Sequence, residues 1–167
     1  MPAVPAVRRA RPDEYPSLRQ IEFEADKLFE TVGIGPFTNN EEDNHLPTAA
    51  AVFVTGDPPV GFAAVDEVGG VGHLWQIAVL PSAGRQGHGT ALMEAVFDWA
   101  RSFGYPALTL TTFADVPWNA PYYARFGFLI VDESSPDFSP ELAAIRAHER
   151  DLGDDDFGPR VAMSKAL

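Results

Sequence analysis

The chain has 167 residues, of which 46% are hydrophobic, so it is long enough to form one domain with a substantial buried core. Its 24 acidic residues exceed its 12 basic ones and give a formal net charge of -12, which argues against nucleic acid as a general partner, because phosphate neutralisation needs clustered Lys and Arg. It contains no cysteine, which excludes thiol nucleophiles, disulfides and thiolate metal sites.

The first half of the chain predicts one helix and four strands. Asp13 begins an amphipathic helix that extends to about Phe29. Residues 31–47, which are acidic and contain glycine and proline, are expected to form a loop. The strands, separated in part by the turns Gly56–Pro59 and Gly69–Gly70, are Val4–Arg9, Ala50–Thr55, Val60–Asp66 and Gly72–Val79.

The second half alternates helices and strands, which favours an α/β (α+β) fold with a mixed sheet and helices on both faces. An apolar stripe of Leu92, Val96, Trp99 and Phe103 predicts a helix that Gly104 ends. Ser139 is predicted to cap a later helix that extends to Asp151, with Pro140 at its first position. The other elements are the strands Ala107–Thr112, Gly127–Val131 and Val161–Ser164, a short helix at Trp118–Arg125 and a solvated acidic loop at Asp154–Asp156.

The segment PSAGRQGHGTAL, residues 81–92, is the most informative part of the chain. A strand ends at its proline, a glycine-rich turn with Arg85 follows, and a helix begins directly afterwards. Helix N-termini carry unpaired backbone N–H groups and a positive dipole end, which together favour an anion. Gly87 and Gly89 allow the backbone to approach a bulky anion such as a pyrophosphate. The segment therefore predicts a phosphate-bearing cofactor.

Other motif templates fit this segment poorly. A P-loop requires lysine where this chain has Thr90. Without that lysine, the loop lacks the main positive side chain that would contact the β- and γ-phosphates. A dinucleotide-binding turn would need a third glycine at Leu92. The GxSxG motif of a hydrolase is absent from the sequence.

Two segments together resemble the GNAT N-acetyltransferase superfamily. Gly84–Gly89 (GRQGHG) is similar to the family's acetyl-CoA motif, Q/R-x-x-G-x-G/A, except that the first position is Gly84, and Arg85 lies one residue later. Asn119–Phe128 (NAPYYARFGF) is similar to the family's Asn…Phe-Tyr-x-x-x-Gly-Phe segment. With the strand order, the resemblance covers about Val4–Ser164.

The resemblance implies a GNAT-like mixed, mostly antiparallel sheet of six to seven strands, splayed between strands four and five, and it implies acetyl-CoA as co-substrate. Backbone groups of the fourth strand would bond the pantetheine as an added strand does, and amides of the next loop would hold the pyrophosphate. The implied cofactor-binding residues are Ile77, Ala78, Val79, Gly84, Arg85, Gln86, Gly87, His88, Gly89, Thr90, Asn119 and Tyr123.

Two of these residues have alternative roles that the sequence leaves open. Asn119 matches a position whose side chain touches the pantetheine in the family, but it could equally be the N-cap of a short helix. His88 could contact the pyrophosphate or be a solvated residue at the start of a helix. The four histidines lie far apart without ligand spacing, so no metal site is expected.

The implied reaction is direct acyl transfer, in which a neutral amine attacks the thioester and the CoA thiolate leaves. Tyr123 matches the family's tyrosine and is predicted to be the general acid, since a phenol with a pKa of about 10 can donate to a thiolate whose conjugate acid has a pKa of about 8.5. The alternative is a core aromatic residue that packs on Phe126 and Phe128.

The amine must also lose a proton, because an alkylammonium has a pKa of about 10.4. Many family members carry Glu on the fourth strand for this step, but this chain has Gln76 there, and glutamine cannot accept a proton. His73 is the candidate base on the same strand, although residues three apart on a strand face opposite ways, so His73 and Gln76 cannot both face the cleft. Asp66, Glu67 and a chain of waters are the other candidates.

An acceptor pocket is expected between the loop Thr31–Pro47 and the segments Phe113–Trp118 and Pro136–Phe157. Acidic residues there would suit a polyamine, an aminoglycoside or a peptide amine, although such loops are often only solvated. The acidic residues are Glu30, Glu41, Glu42, Asp43 and Asp115, and the aromatic residues that could line an apolar wall are Phe37, Phe113 and Trp118.

The sequence thus predicts an acetyl-CoA-dependent N-acetyltransferase that acts, through a ternary complex, on a primary amine of a small molecule or peptide. A non-catalytic acyl-CoA-binding module and a nucleotide-binding regulator are the alternatives. The first residues, MPAVPAVRRARP, lack the apolar stretch of a signal peptide and no run approaches a membrane span, so we expect a cytoplasmic protein without membrane partners. Residues 1–167 are expected to form a single domain, and a homodimer stays open.

Overall fold

A computed structural model describes residues 3–37 and 44–167. Its strands are β1 (Val7–Arg9), β2 (Ala51–Thr55), β3 (Gly61–Val68), β4 (Val71–Val79), β5 (Ala107–Phe113), β6 (Leu129–Val131) and β7 (Arg160–Ala166). They form one seven-stranded sheet in the order β1-β2-β3-β4-β5-β7-β6. Only β4 and β5 pair in parallel, which confirms the predicted mixed, mostly antiparallel sheet.

Four α-helices lie within the described residues: α1 (Tyr15–Asp26), α2 (His88–Ser102), α3 (Ala120–Ala124) and α4 (Pro140–Asp151). The first helix ends earlier than predicted, because from Lys27 to Val32 the chain tightens into a 3-10 helix. None of the helices in this described part of the chain has both the length and the apolar character needed to cross a membrane.

A partly buried ionic junction fixes the start of α1 to β1. Glu14, which is 7% exposed, accepts hydrogen bonds from both terminal nitrogens of Arg8 at 2.8 Å and from the backbone N–H of Arg11 at 2.8 Å. The Arg8 guanidinium, followed by the Arg11 amide, lowers the pKa of Glu14 to about 2. The Glu14 carboxylate therefore stays ionised at neutral and mildly acidic pH.

The chain divides into two compact units, of which the first comprises the chain up to Asp66 together with Leu74–Trp99. One face of α1 packs on β2 and β3 to form its core, as the amphipathic pattern predicts. The buried members of this cluster are Leu18, Ile21, Leu46, Val52, Val54, Phe62, Ala64 and Ala78.

The second unit comprises Glu67–His73 and Ala100–Leu167. Within it, β5 pairs with β7 along its whole length, and β6 extends the sheet on the far side of β7. The Ser139 hydroxyl accepts a hydrogen bond from the Leu142 amide at 3.1 Å, which confirms the predicted cap of α4. The fully buried side chains of this unit include Leu108, Leu110, Phe128, Leu142 and Met163.

Two local predictions were wrong. Phe103 does not continue the apolar stripe of α2: the helix ends at Ser102, Gly104 has φ 71°, and Phe103 is 63% exposed. The acidic run at 154–156 is not simply a solvated loop, because it lies in a 3-10 turn and Asp155 pairs with the buried guanidinium of Arg146 at 2.7 Å. The splay between β4 and β5, the placement of helices on both faces and the single domain over residues 1–167 stay predictions.

Candidate active site

The loop between β4 and α2 has the backbone geometry of an anion site. Arg85 has φ 61° and is the one non-glycine residue with a positive φ in the described ranges, and Gly87 has φ 85°. The Gly87 carbonyl accepts the first bond of α2, from Ala91 N–H at 3.0 Å. The amides of residues 88–90 precede that bond and have no intrahelical partner, so with the positive helix end they favour an anion.

Two residues of the predicted cofactor loop are engaged in other contacts. The Gly84 amide donates to the Pro81 carbonyl at 3.1 Å, so this amide closes a 3-10 turn instead of facing a ligand. The His88 ring Nδ1 lies 2.8 Å from the hydroxyl of Thr55, which is 1% exposed. This pair ties the first residue of α2 to β2, a role that the sequence did not predict for His88.

The last residues of β4, Ile77–Val79, lead into this loop within the same unit. The Leu80 amide donates to the Val60 carbonyl at 2.8 Å. A Cβ built on Gly61 would lie only 3.1 Å from the carbonyl oxygen of Ala78, so β3 and this end of β4 approach closely. These contacts fix one edge of the segment that is predicted to bond the pantetheine.

A small depression in the same unit has Gln76 in its lining. Arg19 and Glu22 of α1 belong to this lining, and Arg19 Nη1 lies 2.9 Å from Glu22 Oε2. His45 also belongs to the lining and stacks on Trp75 with ring centroids 4.0 Å apart. The full lining consists of Arg19, Glu22, Asn44, His45, Leu46, Phe62, Ala64 and Gln76.

The acidic loop that is predicted to border the acceptor pocket is only partly described. Glu41, Glu42 and Asp43 lie outside the described residues. Glu30 and Asp115 are exposed. Of the predicted aromatic wall, Phe113 is buried and Trp118 is partly buried, while Phe37 packs edge-to-face on Phe29 with centroids 5.3 Å apart.

In the second unit, Asn119 occupies the N-cap position of α3, but its side chain does not cap the helix. Asn119 Oδ1 accepts instead from the Phe113 amide at 3.3 Å, which ties the end of β5 to α3. Its carbonyl accepts from the Tyr123 amide at 3.0 Å. The half-buried Tyr123 ring makes edge-to-face contacts with Tyr122 and Phe128, at centroid distances of 5.4 and 6.1 Å.

The surroundings of Tyr123 keep its hydroxyl protonated. Burial raises the pKa of Tyr123 above its ordinary value, Tyr122 adds to the rise, and the positive charge of Arg160 opposes it. Arg160 is itself held in place: its guanidinium lies 4.6 Å above the Phe113 ring, and its Nε donates to Glu149 at 3.2 Å. Tyr123 is therefore equipped to donate a hydrogen bond at neutral pH.

His73, the base candidate on β4, is 1% exposed. Its Nδ1 lies 2.8 Å from the Thr109 hydroxyl, which also lies 3.4 Å from the Gly72 carbonyl. This buried, hydrogen-bonded setting favours a structural role for His73 over the predicted one. Of the other candidates, Asp66 is partly buried and Glu67 is exposed and accepts from the Tyr105 hydroxyl at 2.9 Å.

The family of this chain follows from its similarity to a known sequence profile. A sequence profile described as the acetyltransferase (GNAT) family matches residues 5–128, three quarters of the chain and both motifs. The chain belongs to the GNAT acetyltransferase family. The co-substrate of this family is acetyl-CoA.

Solved structures agree with this assignment at the level of the fold. The ribosomal-protein-S18-alanine N-acetyltransferase of Escherichia coli is 20% identical, with a TM-score of 0.68 over 98% of this chain and 94% of that one. A GNAT acetyltransferase of Brucella melitensis, in complex with acetyl-CoA, is 22% identical with a TM-score of 0.58, covering 75% of this chain and 82% of that one. N-acetylglutamate synthase of Neisseria gonorrhoeae was solved in complex with coenzyme A and N-acetyl-glutamate. It is 20% identical to this chain, with a TM-score of 0.69, and the match covers 99% of this chain but only 35% of the synthase.

The loop of this GNAT chain fits the pyrophosphate of acetyl-CoA. The amides of residues 88–90 open a 15-residue helix, and the left-handed conformations of Arg85 and Gly87 shape the turn before it. Gly84 supplies neither a side-chain charge nor a free amide, so the exposed Arg85 is the cation within this loop. The backbone, more than the side chains, carries the fit.

One titratable residue of α1, Asp26, was not predicted from the sequence. Burial, and then the neighbouring charge of Glu22, raises the pKa of Asp26 to about 7, while Arg19 opposes the rise. The spacing of these three residues at i, i+3 and i+7 places them on one face of α1, and that signal was available in the sequence.

Proposed function

We propose that this GNAT chain transfers the acetyl group of acetyl-CoA to a primary amine of a small molecule or peptide, by direct attack in a ternary complex. The observation that carries the proposal is the loop at residues 85–90, where left-handed turns feed backbone amides into the start of α2. Two similar proteins are named for acetyl transfer to an amino acid and to an alanine of a ribosomal protein, which supports an amine acceptor. A cytoplasmic location and a homodimer stay predictions.

The proposed roles follow the family motif residue by residue. The backbone of Ile77–Val79 bonds the pantetheine, the amides of residues 85–90 hold the pyrophosphate, and the Arg85 side chain adds a cation. This assignment includes the amides of Gln86, Gly87, His88, Gly89 and Thr90. Asn119 positions the pantetheine through the part of its amide that is not bonded to Phe113.

Acetyl-CoA supplies an acetyl group on a sulfur that leaves as a thiolate. Tyr123 donates a hydrogen bond, and finally a proton, to this sulfur. Its raised pKa keeps the proton on the phenol until charge develops on the leaving group. Arg160 moderates that rise and so makes the donation easier.

The test of the proposal is a screen for release of free CoA with polyamines, aminoglycosides, amino acids and peptides as acceptors. We expect saturable turnover with at least one of these classes. Saturable acetyl-CoA binding without turnover for any amine would instead establish a non-catalytic acyl-CoA-binding module. Absence of acetyl-CoA binding would refute both.

A matched pair of glycine variants tests the loop. Gly87→Val and Gly104→Val both force a side chain into a left-handed conformation, with φ 85° and 71°, but Gly104 lies beyond the other end of α2 with open space around it. We expect Gly87→Val to weaken acetyl-CoA binding at least about tenfold, or about 1.4 kcal/mol. Gly104→Val should bind acetyl-CoA as the unmodified protein does.

A further inference from the structure

Acetyl transfer to an amine needs a group that takes the ammonium proton, and β4 provides none at the position where the family commonly has a carboxylate. Gln76 occupies that position. Gln76 lines the small depression, whose lining also contains the ion pair of Arg19 and Glu22. The acidic residue that shares this lining with Gln76 is Glu22 of α1.

Two charged residues of α1, Arg19 and Glu22, line this depression, and Asp26 lies on the same face of the helix one turn beyond Glu22. At about 100° per residue, Arg19, Glu22 and Asp26 lie within roughly 60° of one another around the helix axis. Asp26 is one turn from Glu22, close enough for the two carboxylates to interact. Leu18 and Ile21 on the adjoining face are buried in the core, so the carboxylates lie at the edge between core and solvent.

The position of Asp26 is costly for the fold. It is the last residue of α1, where the negative end of the helix dipole opposes a carboxylate, and it is partly buried beside a second carboxylate. Charged side chains that are held in such unfavourable positions are concentrated at functional sites.

We propose that the carboxylate pair Glu22–Asp26 binds the ammonium group of the acceptor in the depression at Gln76 and accepts its proton. This inference rests on the proposed function, which it completes by naming the proton acceptor. Gln76 accepts a hydrogen bond from the ammonium through Oε1 and orients the nitrogen. The acceptor class that fits is a primary amine that is cationic in solution.

The charges around the pair agree with this role. Arg19 neutralises Glu22, and His45 is the other titratable residue that lines the depression, so ionised Asp26 supplies the unbalanced negative charge among these groups. A carboxyl that titrates near neutral pH can both hold an ammonium and receive its proton. The raised pKa of Asp26, caused by burial and by Glu22, fits that requirement.

The proton balance closes with groups already described. One proton passes from the ammonium to the carboxylate pair and then to solvent, which leaves a neutral amine. The amine nitrogen forms a bond to the acetyl carbon, the carbon–sulfur bond breaks, Tyr123 protonates the thiolate, and the second nitrogen-bound proton restores the Tyr123 phenol. The sum is ammonium plus acetyl-CoA giving amide, CoA thiol and one proton.

Asp26→Asn tests the inference, and Glu24→Gln, on the opposite face of α1 and paired with Lys27, is the matched control. With the best amine of the acceptor screen, we expect kcat/KM of the unmodified protein to fall below an apparent pKa near 7. Asp26→Asn should lower kcat/KM by roughly 100-fold or more and remove that limb, with acetyl-CoA affinity unchanged. Asp26→Glu, which keeps a carboxylate, should recover part of the rate, and Glu24→Gln should match the unmodified protein.

A second readout does not depend on turnover. In carbon-13 NMR of the protein without acetyl-CoA, the Asp26 carboxyl should titrate near pH 7, and propylammonium should shift that titration to lower pH because the cation favours the carboxylate. Titration at the ordinary pH of an aspartate, or no response to propylammonium, would overturn the inference even if the enzyme acetylates amines. Full activity in Asp26→Asn would overturn it too, whereas absence of turnover with every amine would count against the proposed function.

Discussion

The proposed protonation of the leaving sulfur depends on one group, the Tyr123 hydroxyl. Tyr123→Phe removes this donor and keeps the aromatic contacts with Tyr122 and Phe128. We expect kcat to fall by roughly 10- to 100-fold while the acetyl-CoA dissociation constant stays within about twofold, because general acids contribute at least about this much. Steady-state kinetics and a binding titration measure the two quantities.

Tyr122→Phe is the control for that variant, since its ring lies next to Tyr123 and also packs on Phe126 at a centroid distance of 5.1 Å. It should leave kcat unchanged. Equal losses in both variants would mean that the aromatic cluster, and not one hydroxyl, determines the rate.

The raised pKa of Asp26 also predicts an effect on the free energy of unfolding, which is separate from the proposed role of Asp26 in proton transfer. Its pKa of about 7 lies above the ordinary 3.8. Between those two values the folded protein holds a proton at Asp26 that the unfolded chain has released, so the contribution of Asp26 to the free energy of unfolding falls as pH rises from about 4 to 7 and then levels off. Asp26→Asn should remove this loss and be more stable than the unmodified protein at pH 8, by on the order of 2 kcal/mol.

Chemical denaturation at pH 4.5 and pH 8 measures this difference. The two proteins should differ little at the lower pH. Glu24→Gln should show no pH-dependent gain, and a loss of stability in Asp26→Asn at pH 8 would show that the carboxylate makes a favourable contact in the fold.

At the scale of elements, α4 is anchored by charge as well as by its apolar face. Arg146 is 3% exposed and pairs with Glu149 on the same helix and with Asp155 in the following turn, while Glu149 also contacts Arg160 of β7. The Thr111 hydroxyl of β5 donates to Glu149 as well. One helix is thereby joined to two strands of the same unit.

Removing the centre of this network should be costly, because the partner carboxylates would stay partly buried without their main cation. We expect Arg146→Ala to lower the free energy of unfolding by about 3 kcal/mol. Arg150→Ala on the same helix removes an exposed pair with Glu133 and should cost less than about 1 kcal/mol. Urea denaturation of the two variants compares them, and similar losses would contradict the assignment of the network as the anchor of α4.

The elements show what local sequence can and cannot predict here. Strand alternation, the Ser139 cap and the turn into α2 depend on residues a few positions apart, so they were predictable. The pairing of His88 with Thr55 and of Arg146 with Asp155 depends on tertiary approach, and no local pattern distinguishes those side chains from solvated ones. His73 shows the same limit: a histidine suited to catalysis by residue type is buried against Thr109.

For the whole molecule, the formal charge of -12 predicts opposite behaviour of the two substrates. A negative protein attracts a cationic amine and repels anionic acetyl-CoA, and salt screens both effects as the Debye length falls from about 30 Å at 0.01 M to about 8 Å at 0.15 M. In the proposed site, local amides and Arg85 would hold the pyrophosphate against an unfavourable overall field.

Raising the salt concentration over this range should lower kcat/KM for a polycationic acceptor several-fold, because the attraction is lost, while KM for acetyl-CoA stays constant or falls. Initial rates with each substrate varied in turn measure the two responses, and sucrose at matched osmolality controls for effects other than screening. An equal fall in kcat/KM for both substrates would indicate a salt effect on the fold. If kcat/KM for the amine did not change, the acidic surface would lie outside the path by which the acceptor reaches its site.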